Sequence, residues 1–289
     1  MNFAFTAAER GHAVTLYEAG NKLGGQLLMA RNIPQKTEFD EMLRYFAQRL
    51  EEENVDVRLG HAPTVDEVTG GAYDEIVIAT GVRPRIAEIE GIDHPKVRSY
   101  PDVLLHGKPV GARVAIIGAG GIALDMAEFL LDGAPHVPPQ MNEFAHEHGL
   151  DMGLGARGGL LLRPDSEIPR REVWMLQRKE TRPGAGLGAS TVWIRRDKLR
   201  RHGVKVLSGV TYECIDDAGL HIRFQNEARL IEVDTIIICA GQESERGMFD
   251  EIRARASDIP VHLIGGADVA AELDALSAIA QATRLALST

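Results

Sequence analysis

Cysteine is scarce: the 289 residues hold two, Cys214 and Cys239. Two thiols exclude a four-thiolate zinc or iron–sulfur site, and their separation excludes a CxxC redox pair. A secreted fold stapled by disulfides is excluded with them, so the reducing cytoplasm is the expected setting. Long apolar runs are missing as well. No stretch approaches the roughly 20 residues that a membrane span needs. The opening MNFAFTAAERGHAV lacks the basic stretch and apolar core of a secretory signal. Nor is there a positive excess: 32 Lys+Arg stand against 42 Asp+Glu, a net charge of −10, which argues against a nucleic-acid partner. No tandem repeat with a period of roughly 20–50 residues is found. What is present is globular in kind, 44% hydrophobic and 26% charged. The length suits two domains at about 150 residues each.

Apolar periodicity divides the chain into alternating strands and helices. The first residues read as the last turns of a helix ending at Gly11, followed by a buried strand AVTLYE over 13–18. A loop opens at Gly24-Gly25-Gln26, and Thr37 to Asn54 reads as an amphipathic helix. VDVRLG (55–60) and EIVIATG (75–81) are further strands, and RVAIIGAGG (113–121) leads into a helix that stops at Gly133. From 133 to 172 the periodicity fails among prolines and glycines, and a long structureless, lid-like insertion is expected. VWMLQ (173–177) resumes as a strand, and 204–215, 220–224 and 234–241 look like a β-meander and a buried strand. VHLIGGADVA (261–270) and a closing helix over 271–287 complete the chain. The recurrence predicts an α/β fold class: two Rossmann-like, doubly wound, three-layer units.

Gly118-Ala119-Gly120-Gly121-Ile122-Ala123 matches G-x-G-x-x-G/A directly after a strand and before a helix. In such a turn Gly118 makes the bend, and Gly120 lets backbone approach a pyrophosphate. Gly121 opens the helix, and a small residue at Ala123 lets helix sit against strand. The anion would rest on the helix N-terminus. The next strand of a dinucleotide unit ends in Asp or Glu when it holds the ribose of NAD. Here VWMLQ is followed by Arg178-Lys179, with Arg182 close behind, and residues 163–205 carry 12 Lys/Arg against 5 Asp/Glu. Cations in place of a carboxylate suit a 2′-phosphate, hence NADP(H), against the blander reading of a solvated basic face.

A second set points to flavin. Glu18 ends a strand where an acid would bind an adenosine ribose, and Gly25 and Gln26 follow at loop distance. The segments IVIATG and IIICAG end in small turns, Ala79 with Gly81 and Ala240 with Gly241, where backbone would pass close to a cofactor. Gly266 and Asp268 precede the last helix, with Asp268 suited to a sugar hydroxyl or to an ordinary helix cap.

These segments, with MLQRK, PGAGLGASTVWI, DDAGLH, ICAGQE and GIDHPKV, run essentially end to end. Together they make the chain resemble the C-terminal part of the bacterial NADPH-dependent 2,4-dienoyl-CoA reductases of unsaturated fatty-acid oxidation. That family joins an old-yellow-enzyme-like barrel to a flavin/nicotinamide domain pair. The resemblance implies a discontinuous FAD-binding domain, 1–106 and 242–289, around an NADPH-binding domain, 107–241. It implies Glu18 on the adenosine ribose of FAD, Gln26 near the flavin, Asp268 on the ribityl chain, and Arg178 and Lys179 on the 2′-phosphate of NADPH. The helix after Asp268 would aim its positive end at the flavin. Hydride would pass from NADPH to FAD, and the cofactors carry the chemistry, so no dedicated catalytic side chain is expected.

The sequence departs from that family in three respects. It has no barrel, which would hold FMN, the substrate and a proton donor, and no cysteine ladder for a 4Fe-4S cluster. The FAD domain also lacks its first strand and its own glycine turn, because Met1 falls inside the helix that should follow. A truncated start is expected, with the barrel half as the missing N-terminal part or as a separate partner chain. The alternative is an NADP(H)-binding fragment too incomplete to hold FAD and without activity of its own. A thioredoxin-reductase type is disfavoured by the absent CxxC. His146 and His148 face different directions on any helix and make no metal site, Ser190 and Thr191 suit phosphate or backbone contact, and Trp174 and Trp193 read as core or cofactor-lining, with core favoured.

Overall fold

The computed structural model describes residues 1–132, 140–161, 171–255, 258–271 and 274–289. The chain divides into two compact units, one formed by 1–31, 38–85 and 242–289, the other by 32–37 and 86–241. In chain order the first unit contributes α1 (Asn2–Glu9), β1 (Thr15–Glu18), α2 (Leu27–Ala30), α3 (Glu38–Glu52), β2 (Asp56–Leu59), α4 (Val65–Gly70), β3 (Ile76–Ile78) and β4 (Val82–Pro84). The second contributes β5 (Val97–Ser99), α5 (Tyr100–Leu104), β6 (Arg113–Ile117), α6 (Gly121–Asp132), α7 (Met141–His148), β7 (Glu172–Gln177), α8 (Ala189–Arg201), β8 (Lys205–Ser208), β9 (Thr211–Ile215), β10 (Leu220–Phe224), β11 (Glu227–Ile231) and β12 (Thr235–Ile238). The chain then returns to the first unit with β13 (Gln242–Ser244), α9 (Gly247–Ala254), β14 (Val261–Leu263) and α10 (Ala275–Ala286).

The second unit is built on a five-stranded parallel sheet in the order β5-β12-β6-β7-β8. Its central strands carry unbroken apolar runs, 114–117 of β6, 173–176 of β7 and 236–238 of β12, because both faces are covered. Ala115, Ile117, Leu176, Ile236 and Ile238 pack with Ile215, Leu220, Ile222 and Ile231 of the antiparallel sheet β11-β10-β9. Val114 and Ile116 alternate to the opposite face and are equally buried. On the helical side α6 buries Leu124, Met126, Ala127 and Leu130. Helix, parallel sheet and antiparallel sheet thus form three layers. The segment 204–215 is two strands rather than one: Gly209, at φ 80°, turns the chain out of the parallel sheet after β8 and into the antiparallel one as β9.

The first unit holds two separate parallel pairs, β1 with β2 and β3 with β14, and an antiparallel pair, β4 with β13. Phe46 and Leu50, one turn apart on α3, close on Ala4 and Phe5 of α1. Val65 and Val68 of α4 close on Ile76, Ile78 and Ile252. A reciprocal capping box between Thr64 and Glu67 starts α4.

Two sequence expectations need correction here. The 133–172 insertion is not structureless: α7 starts at a Gln140/Glu143 capping box and stops at Gly149, φ 64°. Leu150 then bridges Leu160. The caps carry this helix where the surrounding prolines and glycines hide its period. Residues 133–139 and 162–170 of that expectation lie outside the described residues, as do the basic residues among them. The closing helix begins at Ala275 rather than 271, because Asp274 caps it by accepting from Ser277 N–H at 2.6 Å. No helix among the described residues is long and apolar enough to cross a membrane.

Candidate functional site

The glycine turn sits at the carboxyl end of β6, between β12 and β7 in the middle of the parallel sheet. Gly118 has φ 126°, and its N–H donates to the Leu176 carbonyl at 2.7 Å. A Cβ on Gly118 would stand 2.2 Å from the carbonyl oxygen of Cys239, so only glycine passes between the strands there. Gly120 has open space where its Cβ would be. Gly121 starts α6, and Ala123 is fully buried against the sheet. The first-turn N–H groups of a helix lack intrahelical partners, and α6 has no acidic residue in its first turn, so this end favours an anion. The PGAGLG stretch folds over the same turn: Gly184 N–H donates to the Ala119 carbonyl at 2.6 Å.

Beyond the neighbouring strand β7 the chain exposes Arg178, Lys179 and Arg182. Among the described residues none of the three is paired with a carboxylate, whereas Arg113, Arg195 and Arg223 of the same unit all are. Arg178 lies close enough to the partly buried Tyr212 that its charge opposes the rise that burial imposes on the phenol. Tyr212 donates to the Leu176 carbonyl at 2.8 Å, bracing the end of the strand.

A third cluster was not read from the sequence. Asp125, one turn into α6, accepts from Lys36 at 2.8 and 2.9 Å and from Arg195 of α8 at 2.6 Å. Arg195 also donates to Glu128 at 2.6 Å, and Lys198 reaches Asp132 at 2.5 Å. Burial would pull the Arg195 guanidinium down, and the two carboxylates outweigh it. The available signal was three acids, Asp125, Glu128 and Asp132, recurring every three or four residues on an otherwise apolar helix.

In the first unit Glu18 ends β1, and its carboxylate accepts from Gly20 N–H at 2.8 Å. Gly25 (φ 49°) and Gln26 lead into α2, and Gln242 lies 3.5 Å from the Gln26 side chain. Ala79 and Gly81 follow β3, with Gly81 at φ 79° and its carbonyl accepting from Glu245 N–H at 2.9 Å. Gly266 is buried in the 3-10 turn Gly265–Ala267. Asp268 follows it and accepts from Gln281 of α10 at 2.7 Å, while Gln281 accepts from Gly265 N–H at 2.7 Å. Asp268 is therefore held from the side of α10 and does not cap it. An open groove of about 530 Å³ runs along β14, lined among others by Leu263, Asp268, Gln281 and Arg284. In the second unit Ala240 and Gly241 (φ 108°) follow β12, on the strand beside the glycine turn.

The other candidates separate. His148 stacks on Phe144 at 4.1 Å, and no cluster of three His, Cys, Asp or Glu able to hold a metal occurs among the described residues. Both cysteines are free, and burial pushes the Cys239 thiol far up, away from nucleophilic use. Trp174 packs against the core, but Trp193 is 61% exposed. The buried face of α8 runs through Val192 and Leu199, which turns Trp193 outward.

The family model for pyridine nucleotide-disulphide oxidoreductases matches residues 1–266. A metal reductase of Desulforamulus reducens is 24% identical over 275 residues, 90% of this chain and 38% of that protein. A cinnamate reductase of Clostridium sporogenes is 27% identical over 269 residues, 93% of this chain and 35% of that one. A solved 2-naphthoyl-CoA reductase, in complex with 2-naphthoyl-CoA, shares the fold at a TM-score of 0.79 and 22% identity, covering 100% of this chain and 38% of that one. The chain thus spans little more than a third of the length of these relatives. With a Rossmann-like unit at its centre and a family match over most of its length, the chain belongs to the pyridine nucleotide-disulphide oxidoreductases, a family of FAD- and NAD(P)H-binding oxidoreductases.

Proposed function

We propose that this chain is the NADPH-oxidising flavoprotein module of a 2,4-dienoyl-CoA reductase-like enzyme, with FAD on 1–106 and 242–289 and NADPH on 107–241. The observation that carries the coenzyme choice is the set of cations without carboxylate partners among the described residues, Arg178, Lys179 and Arg182, beside a glycine turn with an acid-free helix end. The Gly118–Ala123 backbone seats the pyrophosphate, and Arg178 and Lys179 hold the 2′-phosphate through charge-assisted hydrogen bonds. Glu18, fixed by Gly20 N–H, accepts from the adenosine ribose of FAD, and Asp268, fixed by Gln281, accepts from the ribityl chain. Gln26 lies near the flavin and the Ala79 and Gly81 backbone passes close to FAD; in the second unit the backbone of Ala240 and Gly241 passes close to a coenzyme. When bound, the coenzymes supply the hydride chemistry, NADPH as donor and FAD as acceptor. In the whole enzyme, in the cytoplasm, a barrel half would hold FMN and a 4Fe-4S cluster and would supply the onward reduction of a dienoyl-CoA. The reductases among the relatives support this reading.

One observation favours a second reading, an NADP(H)-binding fragment that holds no FAD. The parallel strands of the first unit fall into two separate pairs instead of one sheet. Purified protein is incubated with FAD, desalted, scanned for flavin absorbance and assayed for NADPH oxidation with an artificial electron acceptor. Yellow, active protein is the expected result. Colourless protein that binds NADPH without oxidising it overturns the first reading in favour of the second. Arg178→Ala is expected to raise KM for NADPH and leave NADH unchanged, by about 1.5–3 kcal/mol for a charged hydrogen bond. Equal effects on both coenzymes refute the 2′-phosphate assignment.

A further inference from the structure

The loop that presents Arg178 and Lys179 is exposed, yet its backbone is pinned at both ends from the neighbouring strand. Gln177 is the last residue of β7 and pairs in register with Ser208, the last residue of β8. Its side-chain amide donates to the Thr181 carbonyl and, at 3.0 Å, to Ser208 Oγ. Ser208 in turn donates to the same Thr181 carbonyl at 3.1 Å. On the other side Gly209 N–H donates to the carbonyls of Gln177 at 2.9 Å and Lys179 at 3.1 Å. Arg178 to Thr181 is therefore a four-residue arch with Lys179 tied at its crown and Thr181 at its foot, while the cationic side chains stay exposed. An acid at the end of this strand would accept from a ribose hydroxyl. The residue there is a neutral amide, and its donor is turned away onto the loop.

We propose that Gln177 and Ser208 are positioning residues for coenzyme choice. They hold the 178–181 arch in the conformation from which its cations grip the 2′-phosphate, so that little backbone order is lost on binding. This inference rests on the 2′-phosphate reading above. The physical basis is preorganisation: long exposed cations on a free loop would have to order loop and side chains together, which weakens binding without removing a single contact. A ligand without the 2′-phosphate does not depend on the arch.

The test is equilibrium titration of the full chain with NADPH and with NADH, followed by nicotinamide fluorescence, which needs no bound flavin. Gln177→Met keeps the length and removes the donor; Ser208→Ala removes the hydroxyl; Ser208→Thr restores it. Each of the first two is expected to weaken NADPH roughly five- to tenfold, the scale of a lost neutral hydrogen bond, and to leave NADH within about twofold. Ser208→Thr is expected to bind NADPH like the parent. Should Gln177→Met not fold, Ser208→Ala against Ser208→Thr decides. Unchanged NADPH affinity, or equal losses for both coenzymes, overturns the positioning role. Arg178→Ala in the same titration separates the two levels. If it is selective for NADPH while Gln177→Met and Ser208→Ala are not, this inference alone fails. If it too is unselective, the 2′-phosphate reading fails.

Discussion

Gly118→Ala and Gly120→Ala distinguish what the glycine turn does for the fold from what it does for a ligand. At Gly118 the added Cβ would lie 2.2 Å from the Cys239 carbonyl oxygen and 2.8 Å from its carbon, at a backbone φ of 126°. Both neighbours are fixed: Gly118 N–H donates to Leu176 at 2.7 Å, and Cys239 N–H donates to Ile117 at 2.8 Å. Relief requires these backbones to part by roughly 1 Å to reach ordinary contact. One buried hydrogen bond lost in doing so costs about 1–3 kcal/mol, and an L-residue at that φ about 1–2 kcal/mol more. The sum, about 2–5 kcal/mol, lowers the melting temperature of the second unit by roughly 5–15 °C at its size. Gly120 has neither constraint, so its alanine variant melts within about 0.5 kcal/mol of the parent. Its Cβ would nonetheless occupy the space through which a pyrophosphate approaches the backbone, and NADPH affinity falls at least roughly tenfold. Scanning calorimetry reads the first effect and fluorescence titration the second. A Gly118→Ala protein with unchanged melting refutes the steric reasoning. A Gly120→Ala protein with unchanged affinity refutes the turn as the pyrophosphate seat.

Arg195→Ala leaves Glu128 without its cation and Asp125 with Lys36 alone, so urea unfolding is expected to show a loss of about 3 kcal/mol. An unchanged unfolding free energy refutes the electrostatic account. Asp102 gives an acid-side prediction. Partial burial alone would raise its carboxyl, but Lys108 and the N–H and hydroxyl of Ser99 outweigh it and hold it at about 2. A depressed carboxylate stabilises the fold above its ordinary value of 3.8 and loses that contribution as pH falls from there toward 2. With Lys108 half exposed and screened by solvent, the contribution is on the order of 1 kcal/mol. Asp102→Asn is expected to be less stable at neutral pH and to show a shallower loss of stability between pH 4 and pH 2; parallel curves refute it.

The glycine turn was legible because everything that makes it is local. VAIIG, the glycines and the apolar helix follow one another along the chain, so strand period, turn chemistry and helix period are read in one pass. The same holds for β1 ending at Glu18 and for the basic pair after β7. Caps decided what periodicity could not. The Gln140/Glu143 box makes a helix where proline and glycine suggested none, and Asp274 delays the last helix past the point where its Ala/Leu pattern begins. Gly209 cuts an apparently continuous strand between two sheets, since one positive φ outweighs the alternation on either side.

By itself, then, the sequence determined the α/β class, the position of the glycine turn and the sign of the charge beyond the neighbouring strand. Each follows from the period or chemistry of residues adjacent in the chain. Only the tertiary structure decided how the acids and the backbone around those cations are engaged. That Arg178 and Lys179 have no carboxylate partner among the described residues depends on which acids are spent elsewhere, as Asp125 and Glu128 are on Lys36 and Arg195. That Gln177 turns its amide onto Thr181 depends on Ser208, 31 residues away and brought alongside by strand pairing. Such pairings are set by the register of a parallel sheet and by helix packing, which join residues that share no local pattern.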